Sequence, residues 1–394
     1  MIHIIDKHNC SGCSACEQKC PKQCISMRED GEGFLYPVVN EAGCIGCGLC
    51  EAVCPWLQNG GEQAIGNAAF AVKNRDEADR MASSSGGVFV ALAKDMISKG
   101  GVVFGAVFDE HWEVRHTYAE TLDGVRPMMG SKYVQSRTEG CFRDVERFLR
   151  KGRKVLFVGT PCQVAGLHGF LRKAYDNLLT VDFLCHGVPS PGVWRKYLDE
   201  TVSRSADSAT MINSIDFRDK RPSGWERYSF VVRGTSASKP EGDAVLLSDL
   251  FFNNPFMLGF IKDIYLRPSC YRCKCKLSRS KSDITLADYW GVDGIMPDFA
   301  DDCGVSLVFV NTGKGRSAFS ALDVDARPAD LTDLERNNGG VKLVVRENRG
   351  RRKFFRLLSS GRSFYEALDA ALRKPFYRRA CRSVRKALTD MLTK

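Results

Sequence analysis

The 394-residue chain reads as a small α+β lobe, an α/β domain with a mixed, largely parallel sheet, and a helical C-terminal tail. Three features carry that reading. Nine of the 17 cysteines fall before residue 55, in a doubled run. From residue 68 onward, short apolar stretches alternate with helical periodicities, the pattern of an α/β sheet. Beyond residue 362, apolar residues recur at helical spacing among Lys and Arg.

The doubled run comes first. Cys10-x2-Cys13-x2-Cys16-x3-Cys20-Pro21 returns 34 residues later as Cys44-x2-Cys47-x2-Cys50-x3-Cys54-Pro55. Three closely spaced thiolates wrap one face of an iron–sulfur cube. Small residues (Gly12, Ala15, Gly46, Gly48) admit backbone N–H groups to the sulfurs, and the proline turns the chain away. In this spacing the fourth cysteine of each run ligates the other cluster. Cys10, Cys13, Cys16 and Cys54 are therefore assigned to one [4Fe-4S] cluster, and Cys44, Cys47, Cys50 and Cys20 to a second. Zinc is the competing chemistry, and eight cysteines in this order disfavour it. Cys24 falls outside the pattern and is expected to be a buried thiol. Residues 1–57 resemble dicluster ferredoxins; the lobe is bounded at residue 59, and residues 60–67, rich in glycine, read as a linker.

Strands are expected at Ala68–Lys73, Val102–Phe108, Val114–Ala119, Lys154–Val158 and Leu178–Leu184. Helices are expected at Val88–Ser98, Cys141–Arg150, Gln163–Lys173 and Val193–Val202. The segment Ser83-Ser-Ser-Gly-Gly87 precedes a helix. Free N–H groups there favour an anion, although an N-cap followed by a tight turn is the plainer account. Cys162 lies just past one strand and Cys185 just past the next. A right-handed βαβ crossover between them would bring both to one C-terminal sheet edge, where open α/β sheets bind ligands. Cys270 and Cys273, from the stretch SCYRCKC, complete four. That set suits a [4Fe-4S] cluster or a tetrahedral zinc, with Cys275 as a spare ligand. A thioredoxin-like role for Cys270 and Cys273 is disfavoured, because the motif does not open a helix after a strand.

Seven ordered motifs add a resemblance. SSSGG (Ser83–Gly87), GSKYVQS (Gly130–Ser136), GTPCQ (Gly159–Gln163), CHGVPSP (Cys185–Pro191), FRDKRPSGW (Phe217–Trp225), SCYRC (Ser269–Cys273) and SDITLADYWGV (Ser282–Val292) resemble the family of coenzyme F420 hydrogenase/dehydrogenase β-subunits. They are most similar to its bacterial branch, with an N-terminal 2[4Fe-4S] ferredoxin domain fused on. The resemblance runs from about Ala68 to about Thr312. It implies FAD on the α/β domain and a third [4Fe-4S] cluster on Cys162, Cys185, Cys270 and Cys273. It also implies flavin contacts from Ser84, Ser85, Gly86 and Gly87, with Lys132 and Tyr133 lining the pocket. The chain departs from the family pattern at Ala287, where relatives often carry glycine.

The implied activity is that of a flavin-dependent oxidoreductase. A small-molecule hydride donor or acceptor, coenzyme F420 or similar, would meet FAD, and a ferredoxin or other iron–sulfur protein would exchange single electrons. A non-catalytic electron-transfer adaptor and a reductase of surface-polysaccharide biosynthesis are the alternatives. No side-chain acid or base is assigned; His186 is a candidate for proton handling. Arg218, Lys220 and Arg221 form either an anion clamp or a solvated charge run.

The flavin- and cluster-binding domain is bounded at residues 68–330 and the basic helical region at 331–394. The net charge is +10, and residues 346–394 alone carry 15 Lys and Arg against 4 Asp and Glu. A helix packed on the body with a solvated basic face accounts for this. A membrane surface or an acidic partner docked there is the sharper reading. No nucleic-acid reader motif accompanies the charge. No apolar run is long enough to span a bilayer and no signal-peptide core follows Met1, so a cytoplasmic location is expected.

Overall fold

The computed structural model describes residues 1–58, 68–204, 211–236, 239–276, 279–330 and 345–373. The expected linker at 60–67 lies outside them, as does most of the basic tail, including Phe376–Leu388. The N-terminal lobe is a hairpin of β1 (Ile25–Glu29) and β2 (Leu35–Val39), with one short helix per cysteine run, α1 (Ala15–Lys19) and α2 (Leu49–Ala52).

The body contains β3 (Ala68–Asn74), α3 (Val88–Ser98), β4 (Val102–Phe108), β5 (Val114–Ala119) and α4 (Cys141–Arg150). It continues through β6 (Val155–Val158), α5 (Pro161–Leu171), β7 (Leu178–Phe183) and α6 (Pro191–Arg204). After them come β8 (Met211–Asp219), β9 (Ser229–Ser236), β10 (Lys239–Leu250), α7 (Pro255–Ile261), β11 (Ile284–Asp288), β12 (Ser306–Val310) and β13 (Val324–Ala329). Helices α8 (Arg351–Ser359) and α9 (Phe364–Leu372) close the described chain.

The main sheet has eight strands in the order β13-β3-β12-β11-β7-β6-β4-β5. It is mixed, which corrects the expectation of a largely parallel one. Only β11, β7, β6 and β4 run parallel; every pairing outside that centre is antiparallel. Connection length explains one edge: residues 109–113 join β4 to β5, too few for a parallel crossover. A separate antiparallel sheet, β10-β9-β8, was not foreseen.

The β6–α5–β7 unit is as expected, with adjacent parallel strands and Val158 opposite Val181. Helix α5 begins earlier than its apolar periodicity indicates. Thr160 and Gln163 form a capping box and Pro161 occupies the first turn, so Cys162 sits inside the helix N-terminus. The tail also packs where it is described. Phe354 and Phe364 are fully buried against Tyr265, and Phe364 also meets Tyr197. Among the described residues no helix is long and apolar enough to cross a membrane.

Candidate functional site

The sixteen described cysteines are all free of disulfides, and thirteen of them gather in three places. Cys10, Cys13, Cys16 and Cys54 line one hollow in the N-terminal lobe. Cys20, Cys44, Cys47 and Cys50 line another. The partition is the crossed one that the doubled spacing requires. Cys24 departs from its expected reading: it is half-buried, lines the second hollow, and its Sγ stands 3.4 Å from that of Cys20. A thiol just ahead of β1 is carried back to the hollow because Asn40 N–H donates to the Cys24 carbonyl across the hairpin.

The first hollow is pressed against the body. Thr138 Oγ1 donates to Cys13 O (2.9 Å), Gln135 Nε2 to Ser11 O (2.9 Å) and Arg267 Nε to Cys10 O (2.8 Å). Helix α5 meets the lobe through two glycines. A Cβ at Gly166 would lie 2.9 Å from Cys13 Sγ, and one at Gly169 would lie 2.4 Å from Val53 O. The second hollow faces outward, with Cys47 exposed and Ile45 61% exposed.

The third group forms where the β6 and β7 ends meet the 268–275 loop. Cys162, Cys185, Cys270 and Cys273 are close enough that charge on the other three raises the pKa of the Cys162 thiol, beyond what burial does. Burial likewise pushes Cys185 up to about 12 and Cys270 up to about 11. Cys273 is lowered to about 6, chiefly because the Cys275 thiol donates to it, and Cys275 is raised in turn. Buried thiols of this kind stay protonated unless a metal stabilises the thiolates, so the donor set is one that metal binding would complete. Among the described residues no three His, Cys, Asp or Glu side chains stand at the spacing that holds a single metal ion.

Beside this group opens a cavity of about 490 Å³, within the range of cofactor sites. Cys185 belongs to its wall. Ser84, Ser85, Gly87, Lys132 and Tyr133 line it as well, and Ala287 contributes its methyl. Ser84 Oγ is fixed by bonds from Ser131 N–H (2.7 Å) and Ser131 Oγ (2.9 Å). Lys132 Nζ donates to the carbonyls of Met129 and Gly130, and burial pushes it down to about 8. A buried ammonium held by carbonyls is one that an anionic ligand group would pair. Gly86 lies inside the sheet instead of on the wall: its Cβ would stand 2.2 Å from Val72 O, and its N–H donates to Ser306 Oγ.

The FRDKRPSGW stretch forms neither an anion clamp nor a solvated run. Arg218 is buried and pairs with Asp288 (2.6 Å), and Arg221 pairs with Asp219. Lys220 Nζ is buried under three carbonyls, of Arg80, Ser85 and Cys303, which braces the serine segment. His186 lines the cavity, its Nε2–H donating to Asp263 Oδ1 (2.7 Å).

One wall residue had no signal in the sequence. His116, on β5, is buried, with Nε2 at 3.0 Å from Val158 O and Nδ1 at 2.6 Å from Ser136 Oγ. Its carbonyl contact fixes the Nε2–H tautomer, and burial lowers its pKa to about 4, so it is neutral.

Known proteins share these features. Residues 152–337 match the family described as the C terminus of the coenzyme F420 hydrogenase/dehydrogenase beta subunit, and residues 9–57 match the 4Fe-4S dicluster domain. The SSSGG and GSKYVQS segments lie outside both matches. The F-type component of the F(420)H(2) dehydrogenase of Methanosarcina mazei is 27% identical over 199 residues, covering 47% of this chain and 55% of that protein. The match thus spans about half the length of that relative. A chain of the F420-reducing [NiFe] hydrogenase complex from Methanosarcina barkeri aligns with a TM-score of 0.47 and 16% identity, over 78% of this chain and 91% of that one.

Proposed function

We propose that this chain, which belongs to the family of coenzyme F420 hydrogenase/dehydrogenase beta subunits and carries a 4Fe-4S dicluster domain, is an iron–sulfur flavoprotein oxidoreductase. Cys10, Cys13, Cys16 and Cys54 would hold one cluster, and Cys20, Cys44, Cys47 and Cys50 a second. Cys162, Cys185, Cys270 and Cys273 would hold a third. The cavity bordered by Ser84, Ser85, Lys132 and Tyr133 would take FAD. A bound flavin exchanges electron pairs with a hydride donor, and bound clusters exchange single electrons, so the two together convert one currency into the other.

The observation that carries this reading is shared residence: Cys185 belongs both to the four-cysteine group and to the cavity wall. The protein's own contribution is positioning. Ser131 holds Ser84, Lys220 holds the backbone of Ser85, and Lys132 offers a cation from the wall. His116 stays neutral and keeps its side of the cavity free of charge. Trp225 stacks on Trp290 at 4.9 Å, stiffening the rim beside Asp288.

Coenzyme F420 is the first hydride donor to test, because the family and the matched relative carry it in their names. Anaerobic purification should give about twelve irons per chain, from three four-iron clusters, with stoichiometric flavin. Reduced F420, NAD(P)H and reduced ferredoxin are then compared as bleaching agents. Iron near eight, or the absence of flavin, would count against the reading. Cys162→Ser should remove about four irons. That position is preferred to Cys273 because Cys275 lies beside Cys273 and can replace it.

A further inference from the structure

Arg267 is 1% exposed, at the seam between the lobe and the body. Its side chain reaches across the seam to the first cysteine run. Nε donates to Cys10 O (2.8 Å), Nη2 to Leu35 O (2.9 Å) and Nη1 to Gln135 Oε1 (2.9 Å). Nη2 also stands 3.7 Å from Cys10 Sγ. The guanidinium lies over the Tyr36 ring at 4.3 Å and the Phe34 ring at 5.4 Å.

Every one of these partners is neutral apart from the thiol. The acids on the neighbouring hairpin are engaged elsewhere, Asp30 by Lys7 and Glu32 by Arg351. A buried guanidinium is costly unless a negative charge meets it. Arg267 is also three residues before Cys270, and its carbonyl accepts from Cys270 N–H (2.9 Å). The same residue thus fixes the third cysteine group through its backbone and touches the first through its side chain.

We propose that Arg267 sets the reduction potential of the centre held by Cys10, Cys13, Cys16 and Cys54. This rests on the three-cluster reading above. A permanent cation donating to a ligand sulfur favours the reduced, more negative state, and hydrogen bonds to sulfur and net charge are established levers on such potentials. The second centre has no equivalent: a Cβ at Gly46 would meet nothing within 4 Å, whereas one at Gly12 would touch Arg267 at 2.8 Å. Arg267 therefore makes the centre at the seam a better electron acceptor than its repeat-related twin at the surface, although the two ligand runs are identical in spacing. It is a positioning residue that acts through Cys10.

The test is a redox titration of the full-length holoprotein, followed by electron paramagnetic resonance, for wild type, Arg267→Gln and Arg267→Lys. Arg267→Gln should lower one of three midpoint potentials by a tenfold shift in the one-electron equilibrium or more, about 59 mV. The shifted signal should persist in a Cys47→Ser background, which removes the second centre. Arg267→Lys, which keeps the charge, should restore most of the shift. Equal behaviour of the two variants, or three unchanged potentials at full iron content, overturns the proposal. If Arg267→Gln loses iron, Gln135→Glu decides: a carboxylate on the guanidinium must lower the same potential, and no shift there overturns it. Wild type with fewer than about twelve irons would instead defeat the three-cluster reading itself.

Discussion

Gly12 and Gly46 hold the same place in the two cysteine runs and share a backbone conformation, φ +69° and +66°. Around Gly12 stand Arg267 and Gln135, within 3.0 Å of where a Cβ would be; around Gly46 there is open space. The same contrast runs through each pair of equivalents. Ala15 is fully buried in the body's apolar core with Val164 and Leu167, while its counterpart Leu49 borders the outward-facing hollow. Among the described residues no body hydrogen bond reaches residues 44–50, whereas Thr138, Gln135 and Arg267 all donate to residues 10–13. A sequence repeat fixes ligand geometry. Tertiary contact then decides how much water, charge and constraint each copy meets.

The largest expected difference concerns spare ligands. The second hollow has a fifth thiol in Cys24, 3.4 Å from Cys20, and the first hollow is lined by four cysteines only. Cys54→Ser should therefore lose about four irons. Cys20→Ser should keep nearly all of its iron, and Cys20→Ser with Cys24→Ser should lose about four. Iron and sulfide assays after anaerobic purification measure this. A Cys20→Ser protein that loses as much as Cys54→Ser would show the hollows to be equivalent in this respect.

Alanine at the paired glycines comes next. Both substitutions carry the cost of a side chain at positive φ, so that cost cancels in the comparison. Gly12→Ala adds a clash with a buried, hydrogen-bonded guanidinium, which should cost a further 1–3 kcal/mol or so, as overpacking does. Thermal loss of cluster absorbance should come earlier for Gly12→Ala than for Gly46→Ala. Equal midpoints would mean that Arg267 moves aside freely, and would weaken its proposed role.

This asymmetry could not have been read from the cysteine spacing. Cys10–Cys54 and Cys44–Cys20 were pairable because the thiols follow a fixed local geometry, and β6–α5–β7 was readable because its apolar runs and connection length leave one topology. Cys162 was placed in a turn because the apolar period starts later than the capping box does. Arg267 and His116 gave no signal: one is a single arginine between apolar residues, the other a histidine in an alternating strand. What distinguishes them is a partner more than 40 residues away, Val158 for His116 and Cys10 for Arg267. The antiparallel β8–β10 sheet escaped for a different reason, since its strands mix charged and apolar residues without a clean two-residue alternation.

A smaller effect is expected at Thr138, whose hydroxyl donates to Cys13 O and whose own carbonyl accepts from Gln18 Nε2 (2.8 Å). Thr138→Val keeps the shape and leaves a buried carbonyl without its donor, a loss of about 1–3 kcal/mol. The measurement is a denaturant midpoint of the holoprotein, compared with Ser26→Ala on the exposed hairpin, which should not move it. Thr138→Ser should recover most of the loss; if Thr138→Val and wild type coincide, the seam does not depend on this bond.

The smallest expected effect separates Glu17 from Glu51, which are again repeat equivalents. Burial raises the pKa of Glu17, and its Oε2 is buried with no hydrogen-bond partner among the described residues. Glu51 is exposed and accepts from the Met1 ammonium. A carboxyl whose folded pKa is raised holds its proton more tightly in the folded state than in the unfolded one. Its contribution is therefore fully present below the unfolded value, about 4.3, and is lost as pH rises through the folded pKa. Glu17→Gln removes that loss but gives up the attraction of Arg143, 3.8 Å away, so the net gain at neutral pH should stay under about 0.5 kcal/mol. The gain should be larger at pH 8 than at pH 5. Glu51→Gln gives up only an exposed pair and should show no such pH dependence. Thermal midpoints of the two variants at both pH values measure the difference, and a Glu17→Gln advantage that shrinks on going from pH 5 to pH 8 would assign the opposite sign to the burial of that side chain.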